Sequence, residues 1–262
     1  MISFTHKPGL VVYLTAGDPD LATTRAMAIA AIDNGADVIE LGVPFSDPLA
    51  DGPVIQRASE RAVAKGTRLT DVLVICKEIR AARPNAGIII FSYLNPVLRL
   101  GLAEFAKAAK VAGADGVLLT DMIVEEAAEY LKVMHENGLA PVFLAAPTSP
   151  DARLKAIAEN SQGFVYAISR VGITGTQAEL ASDAEALVKR LKQFTKLPIA
   201  LGFGISTPEH VRAVAEFADA AVVGSAIVAL IERTPAADAP RAVGEFVRGF
   251  CAGVAVAEAH TA

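Results

Sequence analysis

The chain has no tryptophan, two cysteines and four histidines among its 262 residues. Each scarcity removes a class of chemistry. Cys76 and Cys251 lie far apart in segments of helical pattern, so they read as buried free thiols of a reducing compartment rather than as a disulfide frame. His6, His135, His210 and His260 fall outside the apolar runs and share no ligand spacing, so no metal site is expected. No lysine falls inside an apolar run, where a Schiff-base aldolase would need one desolvated. There is no G-x-S-x-G elbow, and neither cysteine is placed as a nucleophile.

No segment reaches the ~18 apolar residues of a membrane span. "GLVVYLTAG" (9 to 17) has only Lys7 before it as a clear cation and Asp18 and Asp20 after it, so it reads as a strand rather than a signal peptide. A soluble, cytoplasmic protein is expected. The formal net charge of −5 lacks the clustered cations of a nucleic-acid surface, yet leaves room for one small anionic ligand.

What is present is a long, apolar, ordered sequence, 53% hydrophobic and 20% charged. Eight short apolar runs alternate with stretches of helical period: "GLVVYLTAG", "DVIELGVP", "GIIIFSYL", "GVLLTDM", "APVFLAAP", "GFVYAISR", "PIALGFGI" and "AAVVGSAI". Most lack in/out alternation, as parallel strands covered on both faces do. In "LATTRAMAIAAIDNG" (21 to 35), Leu21, Ala28, Ile29 and Ile32 share one helical face. An internal echo, "NGADVIELG", "AGADGVLLTD" and "FADAAVVGS", closes a helix and opens a strand three times. This predicts an α/β fold, one (βα)8 TIM barrel domain over 1–262, with the barrel proper at about 9–257 and a closing helix within 239–257. The alternative, a doubly wound open sheet, should carry G-x-G-x-x-G after its first strand, where this chain reads "TAGDPD".

Glu40 interrupts an apolar run near the end of the second strand. In a barrel it is desolvated whichever way it faces, and strand ends carry active sites. Desolvation raises a carboxyl pKa toward the range in which it can take and return protons near neutral pH. The plain alternative is a structural Glu held by an Arg or by backbone donors. Asp51 follows eleven residues later in a proline-stiffened loop, either as a turn former or as a second carboxylate over the first. Three glycine-bearing segments, "RVGITGT", "GFGIS" and "VGSAI", follow the sixth to eighth runs. They suit a phosphate held by amides and a helix N-terminus, with Ser225 adding a hydroxyl. Ordinary turns are the other reading. Two carboxylates beside an anchored phosphate limit the reaction to aldol-type cleavage, isomerisation or elimination without a cofactor.

"LTAGDPD" (14 to 20), "ELGVPFSDPLADGPVIQRAS" (40 to 59), "GITG" (172 to 175), "GFGIS" and "VGSAI" closely resemble the tryptophan synthase alpha subunit family, from about residue 10 to residue 250. The resemblance implies retro-aldol cleavage of indole-3-glycerol phosphate to indole and glyceraldehyde 3-phosphate. It also implies a beta subunit partner in an α2β2 complex. That partner would carry the pyridoxal phosphate, so no cofactor is expected in this chain. Position by position, Glu40 matches the general acid/base and Asp51 the carboxylate that accepts the indole N–H. Gly175, Phe203, Gly204, Gly224 and Ser225 match phosphate-binding positions. Tyr166 matches a residue near the reacting glycerol, and Thr174 one that helps order Asp51. Ile55, Phe91 and Leu118 would line the indole pocket.

Departures are visible too. Only "MISFTHKP" precedes the first strand, where the family usually carries an amphipathic helix, which predicts a less covered barrel floor. Asp121-Met122-Ile123 lacks the family's usual proline at its third position. A stand-alone indole-releasing lyase, a non-catalytic phosphate-binding regulator and a phosphate-sugar isomerase are the competing readings.

Overall fold

Parallel strands and their covering helices follow one another along the whole chain. A computed structural model describes residues 2–168, 177–202 and 204–258. The strands are β1 (Gly9–Thr15), β2 (Val38–Gly42), β3 (Gly87–Ser92), β4 (Gly116–Leu119), β5 (Ala140–Val142), β6 (Leu144–Ala145), β7 (Val165–Ile168), β8 (Ile199–Gly202) and β9 (Ala220–Val223). The α-helices that alternate with them are α1 (Leu21–Asp33), α2 (Pro53–Ala64), α3 (Leu69–Ala82), α4 (Leu94–Leu100), α5 (Leu102–Val111) and α6 (Ala128–Glu136). After these come α7 (Asp151–Asn160), α8 (Gln177–Leu191), α9 (Pro208–Ala215), α10 (Ser225–Glu232) and α11 (Ala239–Glu258). Among the described residues, no helix is long and apolar enough to cross a membrane.

All the pairings are parallel, in the order β5-β4-β3-β2-β1-β9-β8-β7-β6. The strip's two edges, β5 and β6, are joined through Phe143. Eight staves were expected, and eight stand around the barrel, with the fifth broken in two. The break falls where Phe143 is buried against the helices, its ring edge-on to Tyr130 at 6.0 Å.

Two apolar compartments result. Outward-facing residues such as Val12, Leu14, Ile39, Leu41, Ile88 and Ile90 form the core under the helices. Inward residues such as Val11, Val38, Ile89, Leu118, Val142, Phe164, Ala200 and Val222 fill the barrel. Both faces are apolar, which explains the unbroken apolar runs.

Two side chains of the segment before β1 reach the floor of the barrel. Ile2 and Phe4 join the interior cluster, and Phe4 meets Phe164 edge-on at 6.0 Å. Gly9 and Gly163 make room for them, since a Cβ at either would lie 2.2 Å from Phe4 or 2.6 Å from Ile2. The expectation of a less covered floor is corrected to this extent: the side chains of Ile2 and Phe4 cover the interior cluster there.

The thrice-repeated Ala-Asp or Gly-Ala-Asp echo has a structural meaning at this end. Asp37 donates its backbone N–H to the Leu10 carbonyl (2.9 Å), and its carboxylate accepts the Leu10 N–H (2.9 Å). Asp115 does both to Ile88 (2.8 and 3.0 Å), and Asp219 both to Ile199 (3.0 and 2.9 Å). Each aspartate thus clasps the start of its strand to the preceding one. At the remaining junction of this kind, Gln162 donates its N–H to Pro141 (2.8 Å). Proline has no N–H for a carboxylate to accept, so no aspartate is needed there.

Candidate active site

Strand β2 is buried at every position, and its alternation puts Val38, Glu40 and Gly42 on one face. Val38 belongs to the barrel interior, and Glu40 lies in register between Tyr13 of β1 and Ile89 of β3. Glu40 therefore points into the barrel. Its exposure is 0%, and neither carboxylate oxygen has a hydrogen-bond partner among the described residues. Burial alone pushes its pKa up to about 8. The structural alternative, a glutamate neutralised by arginine or bonded to amides, is absent from the described residues. At the next inward position Gly42 leaves space for the Tyr13 phenol, since a Cβ would lie 2.3 Å from its oxygen. No β2 side chain then stands between Glu40 and the mouth.

The loop 43–52 is fixed by bonds along its length. Val43 N–H donates to the Phe91 carbonyl (2.8 Å), Asp51 N–H to Pro48 (3.0 Å), and the Gln56 amide to the Asp51 carbonyl (2.8 Å). Tyr93, directly after β3, holds the loop at two points. Its hydroxyl accepts the Ala50 N–H (2.9 Å) and donates to Asp51 Oδ2 (3.0 Å), while its ring lies 5.2 Å from that of Phe45. Asp51 is partly buried, and this burial pushes its pKa up to about 6, with the Tyr93 bond pulling the other way. Asp51 is thus a turn residue by its backbone and a poised carboxylate by its side chain.

Aromatic rings crowd the same space. Phe91 pairs in register with Leu118 and meets Tyr13 edge-on at 5.1 Å. Tyr166 lies in register with Leu144 and Ala200, and Gly202 makes room for its ring. The Tyr166 hydroxyl is held well above its usual pKa by burial and then by the charges of Glu40 and Asp51. Burial and the Asp51 charge likewise lead the rise at Tyr13. Both tyrosine hydroxyls thus lie within the fields of Glu40 and Asp51. Leu118 is fully buried in the barrel, and Ile55 and Phe91 are partly buried beside Tyr13.

Across the mouth, Gly224 caps α10 with no side-chain hydrogen bond, and the first turn carries no acidic residue. The first amides of α10, at Ser225 and Ala226, precede the first intrahelical bonds (Ile227 and Val228 N–H to Gly224) and form a positive helix end that suits an oxyanion. Ser225 itself is exposed. A Cβ at Gly224 would lie 3.6 Å from Tyr13 Cβ and 3.9 Å from Ile55 Cδ1, so this turn stands directly beside the Tyr13 and Ile55 side chains. Gly204 holds a positive φ of 52°, accessible to glycine without strain. Thr174, Gly175 and Phe203 lie outside the described residues.

Of the expected residues, Glu40, Asp51, Tyr166, Phe91, Leu118, Ile55, Gly204, Gly224 and Ser225 all belong to the barrel interior or to segments at its mouth. Tyr13 and Tyr93 are further members that sequence reasoning missed. Both sit in apolar runs and look like core. The available signal was position, because Tyr93 comes directly after β3, at the strand end that faces the mouth. Among the described residues no three His, Cys, Asp or Glu side chains are grouped to hold a metal ion. The site can move protons with two carboxylates of unequal pKa beside apolar and aromatic side chains, with a helix N-terminus at one side to face an anion.

A family model described as tryptophan synthase alpha chain matches residues 3–252. Among curated relatives, the tryptophan synthase alpha chain of Solibacter usitatus is 50% identical over 87% of this chain and 85% of its own length. That of Cupriavidus pinatubonensis is 46% identical over 95% and 92%. Among solved structures, tryptophan synthase subunit alpha from Legionella pneumophila superposes with a TM-score of 0.87 at 37% identity, over 95% of this chain and 93% of that one. A chain from the tryptophan synthase α2β2 complex of Pyrococcus furiosus gives 0.88 at 39%, over 94% and 99%.

Proposed function

The chain belongs to the tryptophan synthase alpha chain family, and from that premise we propose how its residues share the work. It is a carbon–carbon lyase that cleaves indole-3-glycerol phosphate to indole and glyceraldehyde 3-phosphate, a step of tryptophan biosynthesis. We assign the reaction to one barrel domain.

For the bond to break, indole C3 must become a leaving group and the adjacent glycerol hydroxyl must become a carbonyl. C3 therefore gains a proton and the hydroxyl loses one. Glu40 takes the hydroxyl proton and assists delivery to C3, a double duty that suits a carboxyl whose pKa is about 8. Asp51 accepts the indole N–H and steadies the positive charge of the C3-protonated ring. With a pKa of about 6 it is ionised at neutral pH, and Tyr93 aims it. The Gly224–Ser225 turn, with Gly204, Gly175 and Phe203, binds the phosphate. Phe91, Leu118 and Ile55 pack the ring. Tyr166 lies by the glycerol, and Thr174 orders Asp51. The observation that carries this reading is the wholly buried Glu40, both of whose oxygens are unpartnered among the described residues, beneath the loop that holds Asp51.

The partner is a beta subunit in an α2β2 complex, and the pyridoxal phosphate of the complex belongs to that partner. Leu49 (84% exposed), Leu98 (53%) and Ile123 (48%) follow the second, third and fourth staves on the mouth face, where apolar exposure suits a docking surface. The free thiols Cys76 and Cys251 suit a reducing, cytoplasmic setting.

The test is an indole-release assay on indole-3-glycerol phosphate, with and without a beta subunit. Indole and triose phosphate in equal amounts, formed much faster with the partner, are expected. No product in either arm would defeat the reading, and equal rates in both would remove the partner alone.

A further inference from the structure

A charge cluster that runs from the buried Asp18 through the half-buried Arg61 to the exposed Arg57 and Glu232 ties together three elements that flank the mouth. Arg61 of α2 forks onto Asp18, in the loop after β1, with Nε to Oδ1 at 2.9 Å and Nη2 to Oδ2 at 2.7 Å. Asp18 is buried. The remaining nitrogen of Arg61, Nη1, donates to Glu232 Oε1 at 2.8 Å, and Glu232 is the last residue of α10. Arg57, one turn earlier on α2, forks onto both oxygens of Glu232 at 2.8 Å each.

The placement of these contacts matters. Helix α2 begins two residues after Asp51, and α10 begins at Ser225, so the two helix N-termini carry opposite ends of the substrate cradle. Arg61 lies eight residues into α2 and Glu232 seven after Ser225, which at 1.5 Å per residue sets both roughly 11 Å below the mouth. Above that level the helices meet through Val54, Ile55, Ala58 and Val228 around Tyr13. An apolar contact alone lets helices slide. A planar guanidinium bonded to two carboxylates fixes their register as well.

We infer that the Arg57–Glu232–Arg61–Asp18 cluster is a clamp that sets the span between Asp51 and the Gly224–Ser225 turn, and that Arg61 is its positioning residue. This rests on the functional reading above, in which the ring sits at one end and the phosphate at the other. A clamp of this kind has a signature that stability lacks. Each half of the substrate still finds its own subsite when the clamp is loosened, but the joined molecule no longer reaches both.

The experiment uses the full chain with three probes: indole, glycerol 3-phosphate and indole-3-glycerol phosphate. Glu232→Gln keeps the buried Asp18–Arg61 pair and weakens only the tie to α10. It should leave the two fragment affinities within about twofold and lower kcat/KM on the joined substrate roughly fivefold, the scale of one networked surface ion pair. Arg61→Met should lower kcat/KM about tenfold and also the melting temperature, because Asp18 stays buried without its cation. Arg61→Lys should restore much of the melting temperature and leave kcat/KM low, since one ammonium cannot fork onto Asp18 and reach Glu232 together. Equal weakening of fragments and joined substrate, recovery of both quantities by lysine, or no change in kcat/KM for Glu232→Gln would each overturn the clamp. Failure of the parent protein to cleave the substrate would instead defeat the functional reading, and the clamp's role with it.

Discussion

The floor and the mouth of this barrel both contain carboxylates that are largely withdrawn from water, and they treat them in opposite ways. At the floor, Asp37 accepts the N–H groups of Thr5 and Leu10 and the Thr5 hydroxyl. Asp115 accepts the Ile88 N–H and pairs with Arg80 at 2.6 Å. At the mouth, Glu40 is more deeply buried than either and receives nothing from the described residues. Satisfied burial is what a structural carboxylate shows. Unsatisfied burial costs folding energy, and its persistence at a strand end that faces the mouth is the mark of a working group.

The sharpest way to break this contrast is to neutralise one carboxylate at each end. Glu40→Gln should abolish indole formation, by about a thousandfold or more, while the protein stays folded. It should also change the pH dependence of stability. The native pKa of Glu40 is raised to about 8 from an ordinary 4.5, so the folded state holds this proton more tightly than the unfolded chain. The parent protein therefore loses stability as pH rises from about 4.5 to about 8. The variant lacks that slope, and melting curves from pH 5 to 9 should show it gaining on the parent until about pH 8. A variant that tracks the parent would mean that Glu40 finds a partner. Asp37→Ala should do the reverse. It should cost roughly 2–3 kcal/mol in a urea melt, the worth of charge-assisted bonds to buried amides, with kcat of the folded fraction unchanged within about twofold.

Tyr93→Phe sharpens the comparison within the mouth itself. It removes one bond to Asp51 and one acceptor for Ala50, leaving the ring in place. About a tenfold loss in kcat/KM is expected, the worth of one charge-assisted bond. Because the Tyr93 bond lowers the Asp51 pKa, its loss should move the acidic limb of the pH–rate profile to higher pH. An unmoved limb would show that Asp51 is aimed by its backbone alone.

The ease of reading these features from sequence followed their chemistry. Glu40 was legible because a charge in an apolar strand is costly wherever it points. Asp51 was half legible, since aspartate beside proline and glycine also makes ordinary turns, and family resemblance tipped the balance. Tyr13 and Tyr93 were hidden because a tyrosine in an apolar run looks like packing, and only strand register reveals where its hydroxyl ends. The break at Phe143 was invisible inside the continuous apolar run "APVFLAAP". The Asp echo was seen as a repeat, but its clasping role appears only when Leu10, Ile88 and Ile199 are placed beside it. The Arg57–Glu232 tie spans more than half the chain, beyond the reach of any local pattern.

The clasps also divide the cylinder into units. Each carboxylate binds a first stave to a second, while the same residue's carbonyl takes the ordinary backbone bond from the next stave (Gly87 N–H to Asp37, 3.0 Å; Ala140 N–H to Asp115, 2.9 Å), so the side chain adds its fastening only within a pair. A chain split at 83–86 would part the staves between two such pairs and leave each clasp whole. A split at 34–36 would separate Asp37 from Leu10 and orphan both. Fragments that reassemble should therefore come from the first kind of division, which makes the pair of staves, rather than the single one, the smallest piece of this protein that carries its own fastening.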